Sequence, residues 1–420
     1  MTYLDELREW LEDSWDPELT LRTWWAKLAD DGWSQPHWPN EWGGRGLSLS
    51  DATVVARTIR EFGAVAGPPS IATRLAGPTL LIHGTDDQKA RHLRGIADGT
   101  DAYCQLFSEP NAGSDLAGLQ CKAEPDGDDW LVNGQKVWTS HGQIASRGLL
   151  LARTNLDVPK HAGISYFILR MDQPGVEFRP LREMTGRSFF NEVFLTNARV
   201  SSADLVGGVD NGWTVANTTL GVERAISGGA ELSSTVVAGE VAGNLDRAVG
   251  TFVSGVTSSA PAKESSSKRL MRVVRRNGRS DEPLIRDGLA ALYSLERLIA
   301  LNTQRDRDFQ SSGREFPGQP NLAKIAENQA VRLARDLTFT ILGVAATVHR
   351  YEEDDVSEGS VFDQPDTDGL IETSLFSFAP QIMGGTDQIQ RNILGERILG
   401  LPREPSTDKG VSFRELTKNS

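Results

Sequence analysis

Cysteine, paired histidines and long apolar runs are scarce in this chain of 420 residues. Its two cysteines, Cys104 and Cys121, do not form a Cys-x-x-Cys pair, so a zinc ribbon, an iron–sulfur cluster and a disulfide scaffold are not expected. A reducing, cytoplasmic compartment is the simplest expectation from so few cysteines. The six histidines show no pairing at i,i+3 or i,i+4, and no metal site is predicted.

Membrane and nucleic-acid partners are not expected either. The longest uncharged apolar stretch, Leu337 to Val348, is too short to cross a bilayer and predicts a buried helix. The segment from Met1 to Leu7 lacks the basic start and the apolar run of a signal peptide. Lys and Arg number 44 against 57 Asp and Glu, and 44 − 57 gives a net charge of −13. Such a balance argues against binding to phosphate backbones, which depends on Lys and Arg.

Three stretches of the chain differ in the period of their apolar residues. Residues 1–102 show helical spacing, including a helix from about Ser50 to Phe62 with Ser48 or Ser50 as its N-cap. Residues 103–210 alternate short apolar segments with Asp-Gly and Asn-Gly turns, which indicates a small β-barrel or sandwich. Residues 211–420 return to the helical period, so the predicted class is mainly α with a central β domain. Strands are expected at Trp130–Val132, Gly148–Arg153, Ile164–Leu169, Val176–Arg179 and Asn191–Leu195.

Two segments interrupt the last helical stretch. Thr257–Ser267 is rich in serine and is predicted to be a mobile loop. Tyr351–Asp368 carries eight acidic residues and is predicted to be a solvated excursion. A strand-to-helix G-x-G-x-x-G motif is absent, so the sequence does not support a Rossmann nucleotide site.

Two segments of the β region carry the densest chemical signal. Gln105 to Asp115 reads QLFSEPNAGSD, and its main-chain N–H groups and hydroxyls could bind a carbonyl-rich ring or a phosphate. A plain β-turn has the same composition. Asn133 to Ser140 reads NGQKVWTS, and its Trp could stack on a flat cofactor or simply fill the core of a sheet.

Four motifs follow one another in a family-like order: Glu-Pro-x-Ala-Gly-Ser-Asp, Asn-Gly-x-Lys-x-Trp, Phe-Asn-Glu-Val-Phe at 190–194, and Gly-Thr-Asp-Gln-Ile-Gln-Arg-Asn at 385–392. This series resembles the acyl-CoA dehydrogenase family, from about Trp33 to Arg403. The resemblance implies an FAD enzyme with an N-terminal helical domain, a middle β domain and a C-terminal four-helix bundle. It also implies a tetramer, of one chain or of two related chains, that passes electrons to an electron-transfer flavoprotein.

The resemblance also implies which residues hold the cofactor. Trp138 would pack on the flavin, and Ser114 would lie beside both the flavin and the pantetheine arm of the substrate. The remaining cofactor contacts implied by the motifs are Gln105, Leu106, Phe107, Ser108, Gly113, Thr139, Ser140, Thr386 and Gln388.

The implied reaction is α,β-dehydrogenation of an acyl-CoA thioester, in which a carboxylate removes the α proton and a hydride leaves the β carbon for flavin N5. Such a base works better in a dry pocket, and the enolate oxygen needs hydrogen-bond donors. Many family members carry the base just before the Gly-Thr of the last motif, where this chain has Gly384. A second family location lies on the helix that opens the C-terminal domain, and there Glu223-Arg224 resembles the Glu-Arg pair of members with that arrangement.

A helical wheel tests Glu223 independently of the resemblance. At about 100° per residue, Glu223 falls in the apolar sector of its helix with Leu220 and Val222. A carboxylate there must be functional or paired, for example with a core arginine. Arg224 lies on the opposite, polar side and would by resemblance approach the substrate or the base, although a surface arginine would occupy the same position.

The chain departs from the family pattern in the basic segment after residue 267. An Arg-x-x-Phe-Gly signature of the family, which reaches the FAD of an adjacent subunit, is replaced here by Val274 and Asn277. Arg276, or Arg275 beside it, could substitute, and a solvated basic helix is the alternative.

These departures leave two further functions open. One is a non-catalytic subunit that supports a catalytic partner, and the other is a flavin monooxygenase or oxidase on the same fold. Glu223 favours the dehydrogenase over both. Gly384 adds volume to the substrate pocket, and its surroundings, with the ending Ile398–Arg403, resemble actinobacterial members that act on bulky CoA esters, including steroid side chains.

Overall fold

The computed structural model describes residues 2–227, 237–253, 264–314, 317–347, 366–405, 408 and 410–416. Most of the predicted loop Thr257–Ser267 and nearly all of the predicted excursion Tyr351–Asp368 lie outside the described residues. The side chain of Arg224 also lies outside them.

The N-terminal region consists of helices, as predicted. The helix expected near Ser50 begins at Leu49, and Ser48 is its N-cap, since the Ser48 hydroxyl accepts a hydrogen bond from the Asp51 N–H at 3.1 Å. The apolar faces of these helices bury a tryptophan-rich core that includes Trp24 and Trp25. The helices are α1 (Tyr3–Ser14), α2 (Leu21–Asp30), α3 (Leu49–Phe62), α4 (Gly77–His83) and α5 (Asp86–Ala97).

The middle region is one eight-stranded sheet in the order β6-β7-β3-β2-β4-β5-β8, with β1 paired in parallel to β4. All five predicted strands are confirmed, and the strands predicted within β3 and β7 extend to twelve residues each. The strands are β1 (Tyr103–Leu106), β2 (Lys122–Asp126), β3 (Asp129–Ser140), β4 (Arg147–Arg153), β5 (Ile164–Arg170), β6 (Val176–Leu181), β7 (Phe190–Ser201) and β8 (Leu205–Val206).

Helices dominate the chain after the sheet. The predicted buried helix from Leu337 to Val348 is wrong in extent, because the helix there ends at Leu342 and Val344 is 85% exposed in the turn that follows. The helices are α6 (Gly212–Ser227), α7 (Gly250–Val253), α8 (Ser266–Arg276), α9 (Pro283–Ser311), α10 (Gln319–Leu342), α11 (Asp366–Phe376) and α12 (Asp387–Ile393). Among the described helices, none combines the length and the apolar character needed to span a bilayer.

The segment after α6 returns to the N-terminal helices. Leu245, Val249 and Phe252 share a buried core with the helices of residues 1–62. Arg22 on α2 forms ion pairs with Glu240 and Asp246 of this segment. The N-terminal core is therefore completed by residues that follow the sheet.

Candidate active site

The loop after β1 places the first motif at the surface beside the sheet. Gln105 and Ser108 are half-buried, whereas Gly113 and Ser114 are exposed. Leu106 and Phe107 are buried in two different cores, on the two faces of the sheet. The side chains of Leu106 and Phe107 are therefore occupied with packing, so a cofactor contact at these two residues, which stays a prediction, would be made by their main chain.

Trp138 lies at an irregularity in β3. The register between β3 and β7 shifts between Lys136 and Thr139, and Trp138 has a φ of +61°. This left-handed conformation is rare for a bulky residue and often marks a functional position. It leaves the indole 59% exposed, with its ring 5.8 Å from the Phe190 ring in an edge-on arrangement.

The two hydroxyl residues after Trp138 differ in placement. Ser140 is half-buried. Thr139 is fully buried, and its hydroxyl has no hydrogen-bond partner among the described residues. The Ser140 side chain is therefore accessible to a cofactor, whereas the Thr139 hydroxyl is a buried polar group whose hydrogen-bonding capacity is unused.

Helix α6 is held firmly against the sheet and the N-terminal helices. At its start, a Cβ on Gly212 would lie 2.4 Å from the Ser165 carbonyl carbon, so glycine permits this close approach to β5. Farther along, the Thr219 hydroxyl is 2.8 Å from that of Thr79 on α4 and 3.2 Å from that of Tyr166 on β5. These buried hydroxyl contacts lie one helical turn before Glu223.

Glu223 is half-buried near the C-terminal end of α6. Its carboxylate Oε2 accepts a hydrogen bond from the side-chain amide of Gln105 at 3.3 Å. Two residues from separate sequence motifs, 118 positions apart, are thereby brought together. The apolar sector predicted for α6 is confirmed for Val215 and Ala216, which are fully buried.

The C-terminal motif forms a glycine turn followed by a short helix. Gly384 and Gly385 have φ values of +63° and +87°. Thr386 is the N-cap of α12, where its hydroxyl accepts a hydrogen bond from the Ile389 N–H at 3.2 Å. Gln388 is exposed on α12 and available to a ligand.

A polar ladder on α10 holds this C-terminal segment, residues 380–390. The Lys324 ammonium donates to the Pro380 carbonyl at 3.0 Å, and the Asn321 amide donates to the Gln390 side chain at 2.6 Å. The Gln390 amide in turn donates to the carbonyls of Gly384 and Gly385, each at 3.1 Å. The ladder is completed by Asn328 and Arg332, which donate to Asp387 at 2.6 and 2.7 Å.

Lys324 belongs to the ladder and also interacts electrostatically with Glu223. It is 7% exposed, and burial lowers the pKa of its ammonium, while the carboxylates of Glu223, Glu327 and Asp387 oppose that shift. Burial raises the pKa of Glu327 to about 7, and the charge of Lys324 limits the rise. Sequence reasoning missed both residues, because polar residues spaced three or four apart in α10 have the pattern of an ordinary solvated helix face.

The family's arginine signature is altered in structure as well as in sequence. Val274 is 2% exposed and packs in the core between α8, α9 and α10, so its side chain is not available at the surface. Arg276, the last residue of α8, is exposed, and so is Arg275 before it.

His141 follows the Trp138 motif. It packs edge-on against Phe189, with the ring centres 5.0 Å apart, and burial lowers the pKa of its ring.

Comparison with known proteins decides the family. The N-terminal domain model of the acyl-CoA dehydrogenases matches residues 3–100, and their middle domain model matches residues 104–198. The acyl-CoA dehydrogenase IpdE1 of Mycobacterium tuberculosis is 35% identical over 386 residues, which cover 91% of this chain and 88% of that protein. The chain belongs to the acyl-CoA dehydrogenase family. The family is FAD-dependent, and its members are oxidoreductases.

Solved structures show the same acyl-CoA dehydrogenase fold. The crystal structure of the ChsE4–ChsE5 complex from M. tuberculosis aligns with a TM-score of 0.66 and 26% identity, over 96% of this chain and 99% of that chain. A glutaryl-CoA dehydrogenase from M. smegmatis in complex with FADH2 aligns with a TM-score of 0.61 and 18% identity, over 96% of this chain and 95% of that chain. The fold class predicted from sequence is confirmed.

The accessible residues of the two motifs in the β region fit the cofactor of an acyl-CoA dehydrogenase. An isoalloxazine ring offers a flat face and an edge of carbonyls and ring nitrogens. The exposed indole of Trp138 supplies a matching aromatic face. A Cβ on Gly113 would meet nothing within 4 Å, so the turn leaves open space for a ligand. Half-buried or exposed side chains with N–H or O–H donors in these two motifs are Gln105, Ser108, Ser114 and Ser140. In the described part of the chain, no cluster of His, Cys, Asp and Glu could hold a metal ion.

Proposed function

We propose that this chain catalyses the α,β-dehydrogenation of an acyl-CoA thioester, with Glu223 as the base that removes the α proton. The observation that carries the proposal is the 3.3 Å hydrogen bond from Gln105 to the Glu223 carboxylate. It supports a carboxylate located at the end of β1, just before the loop that carries the family's first motif. Bound FAD would supply the acceptor for the hydride from the β carbon.

The surroundings of Glu223 suit proton abstraction from carbon. The carboxylate is half-buried, which limits its contact with water, and it interacts electrostatically with the buried ammonium of Lys324. The hydroxyl contacts of Thr219 fix the helix one turn earlier, which keeps the carboxylate in one place.

The remaining residues would hold the cofactor and the substrate. Trp138 would pack on the ring, and the Gln105, Ser108 and Ser140 side chains would bind its edge. Ser114 would serve both the cofactor and the pantetheine arm, whereas Gly384 would leave room for the acyl group. The other proposed contacts are the main chain of Leu106, Phe107, Gly113 and Thr139, together with Thr386, Gln388 and Arg276 for the cofactor and Arg224 for the substrate.

We infer a bulky acyl group and a related chain as partner. The glycine pair at Gly384 and Gly385 provides space where other members carry a carboxylate. The similar ChsE4–ChsE5 structure is a complex of two chains, and another similar structure is a steroid acyl-CoA dehydrogenase, Tcur3481–Tcur3483. An electron-transfer flavoprotein would accept the electrons.

A second candidate function is a non-catalytic subunit of a complex of two related chains. The observations that favour it are Gly384 at the alternative base position and the buried Val274 at the position of the family's arginine. It predicts a chain that binds a related subunit and does not itself oxidise an acyl-CoA.

The test is to mix the purified FAD-loaded chain with CoA esters of graded bulk without an electron acceptor and to follow the flavin absorbance. We expect bleaching by a bulky ester, and a rate about 10²–10⁴-fold lower in Glu223→Gln with FAD retained. Glu9→Gln, an exposed carboxylate on α1, is the control and should bleach normally. Normal bleaching by Glu223→Gln would refute the base, and bleaching only with a partner chain would favour the second function.

A further inference from the structure

A buried ion pair lies beneath the loop of the first motif. The Lys136 ammonium is 2.8 Å from a Glu109 carboxylate oxygen, and the two side chains are 0% and 8% exposed. Removing two charges from water is costly, and an apolar pair of similar volume is often as stable. Stability alone therefore does not account for charged residues at these two positions.

Glu109 joins the two ends of the motif loop. Its oxygens accept hydrogen bonds from the main-chain N–H groups of Gln120 at 2.6 Å and Cys121 at 2.9 Å. The chain between them leaves the sheet and returns, and the exposed turn at Gly113 and Ser114 lies within this excursion. One carboxylate thus closes the loop at its base.

Lys136 joins the same loop to the strand that carries Trp138. Its ammonium also donates to the Phe107 carbonyl at 3.1 Å, and the next N–H, that of Val137, donates to the Ser108 carbonyl at 2.9 Å. The next residue along the chain is Trp138, which has the left-handed conformation and lies within the register shift between β3 and β7. The pair therefore touches both segments that face the proposed cofactor, at the point where each leaves regular structure.

We propose that Glu109 and Lys136 are positioning residues that set the Gly113–Ser114 turn and the Trp138 indole at a fixed separation, so that one flavin can meet both. The proposal rests on the proposed function for the identity of the ligand. The pair itself does not touch the ligand, since its charged atoms are buried.

The test compares Lys136→Met, Glu109→Gln and the double variant with the wild-type chain. Both single variants leave a buried group without its charged partner, so both should lose stability. The double variant leaves no unpaired charge and should recover much of that stability. If the pair sets geometry, the double variant should still bind FAD about ten-fold or more weakly in a titration of the apoprotein.

Hydrogen exchange supplies a readout that needs no FAD. In the peptide that contains Gln120 and Cys121, the amides should exchange faster in Lys136→Met and in the double variant. The matched control is His92→Phe, which disrupts a polar contact of another buried side chain, 3.2 Å to Asp204, outside both segments. It should lower stability without changing FAD affinity or exchange in this peptide.

Each outcome decides the proposal. A double variant with wild-type stability, FAD affinity and exchange would overturn it and leave the pair a packing feature. A wild-type chain that binds no FAD would refute the proposed function, and the exchange data would then decide the positioning role alone. If Lys136→Met does not fold, Glu109→Gln keeps the shape of the side chain and serves for both measurements.

Discussion

Helix α6 and the C-terminal segment 380–390 both lie close to Lys324 of α10, but they carry different kinds of residue. Helix α6 brings a carboxylate, Glu223, on a helix fixed by buried hydroxyls. The segment brings two glycines in left-handed conformations, held from behind by the polar ladder on α10. Under the proposed function, α6 would supply the base, while the segment would supply main chain and space. The proposed location of the base then depends on backbone conformation as well as on which residue occurs in a motif.

The largest expected effect comes from moving the carboxylate between the two regions. In Glu223→Gln/Gly384→Glu, we expect flavin reduction to stay about 10²–10⁴-fold below wild type, the level of Glu223→Gln alone. At Gly384, a φ of +63° disfavours a residue with a Cβ, by about 1–2 kcal/mol, and the turn would have to rearrange. Stopped-flow reduction by the best CoA ester measures the effect. Recovery to near wild-type rate would show that the two regions are interchangeable.

A smaller effect concerns Glu327, which shares Lys324 with Glu223. Burial raises its pKa to about 7, well above the usual value of a glutamate side chain. The folded state therefore holds a proton more tightly than the unfolded state, and the free energy of unfolding falls as pH rises through this range. The loss is on the order of 3 kcal/mol in total.

Urea unfolding at pH 5 and pH 8 measures this contribution. Through Glu327, the wild-type chain should have a free energy of unfolding that is lower at pH 8 than at pH 5 by up to about 3 kcal/mol. Comparison with Glu327→Gln separates this contribution from that of the other titrating groups. Glu327→Gln should remove most of the difference and be the more stable protein at pH 8. An unchanged pH dependence in Glu327→Gln would show that this carboxyl titrates normally.

The smallest effect concerns the hydroxyl contacts that hold α6. Thr219→Val keeps the side-chain shape but leaves the buried hydroxyls of Thr79 and Tyr166 without this partner. We expect a loss of about 1–3 kcal/mol in the free energy of unfolding. Thr214→Val, on the exposed face of the same helix, is the matched control and should change stability little. Equal effects of the two substitutions would contradict a special role for the buried contacts.

The positions of the strands and of the α3 N-cap could be predicted from the sequence, because both depend on a local pattern of residues. The strands followed from alternation and turn residues, and the α3 N-cap followed from a serine before an apolar period. A motif match shows where a residue lies in the chain, but it does not show to which side of the strand its side chain points. Neighbouring residues in a strand face opposite sides, so Gln105 reaches Glu223 while Leu106 beside it fills the core.

The ladder on α10 could not be predicted in the same way. Asn321, Lys324 and Asn328 at intervals of three and four resemble an ordinary solvated helix face. Their partners lie 56 to 69 residues farther along the chain. Only the tertiary arrangement distinguishes a polar face in water from one that binds a loop.

The most direct measurement of the central claim is exchange of the substrate α proton with deuterated solvent. A CoA ester with sulfur in place of the β carbon can lose an α proton but cannot transfer a hydride, so proton removal is observed alone. Mass spectrometry of the recovered ester should show deuterium incorporation catalysed by the wild-type chain and almost none with Glu223→Gln. Equal incorporation by both proteins would contradict the assignment of Glu223 as the base.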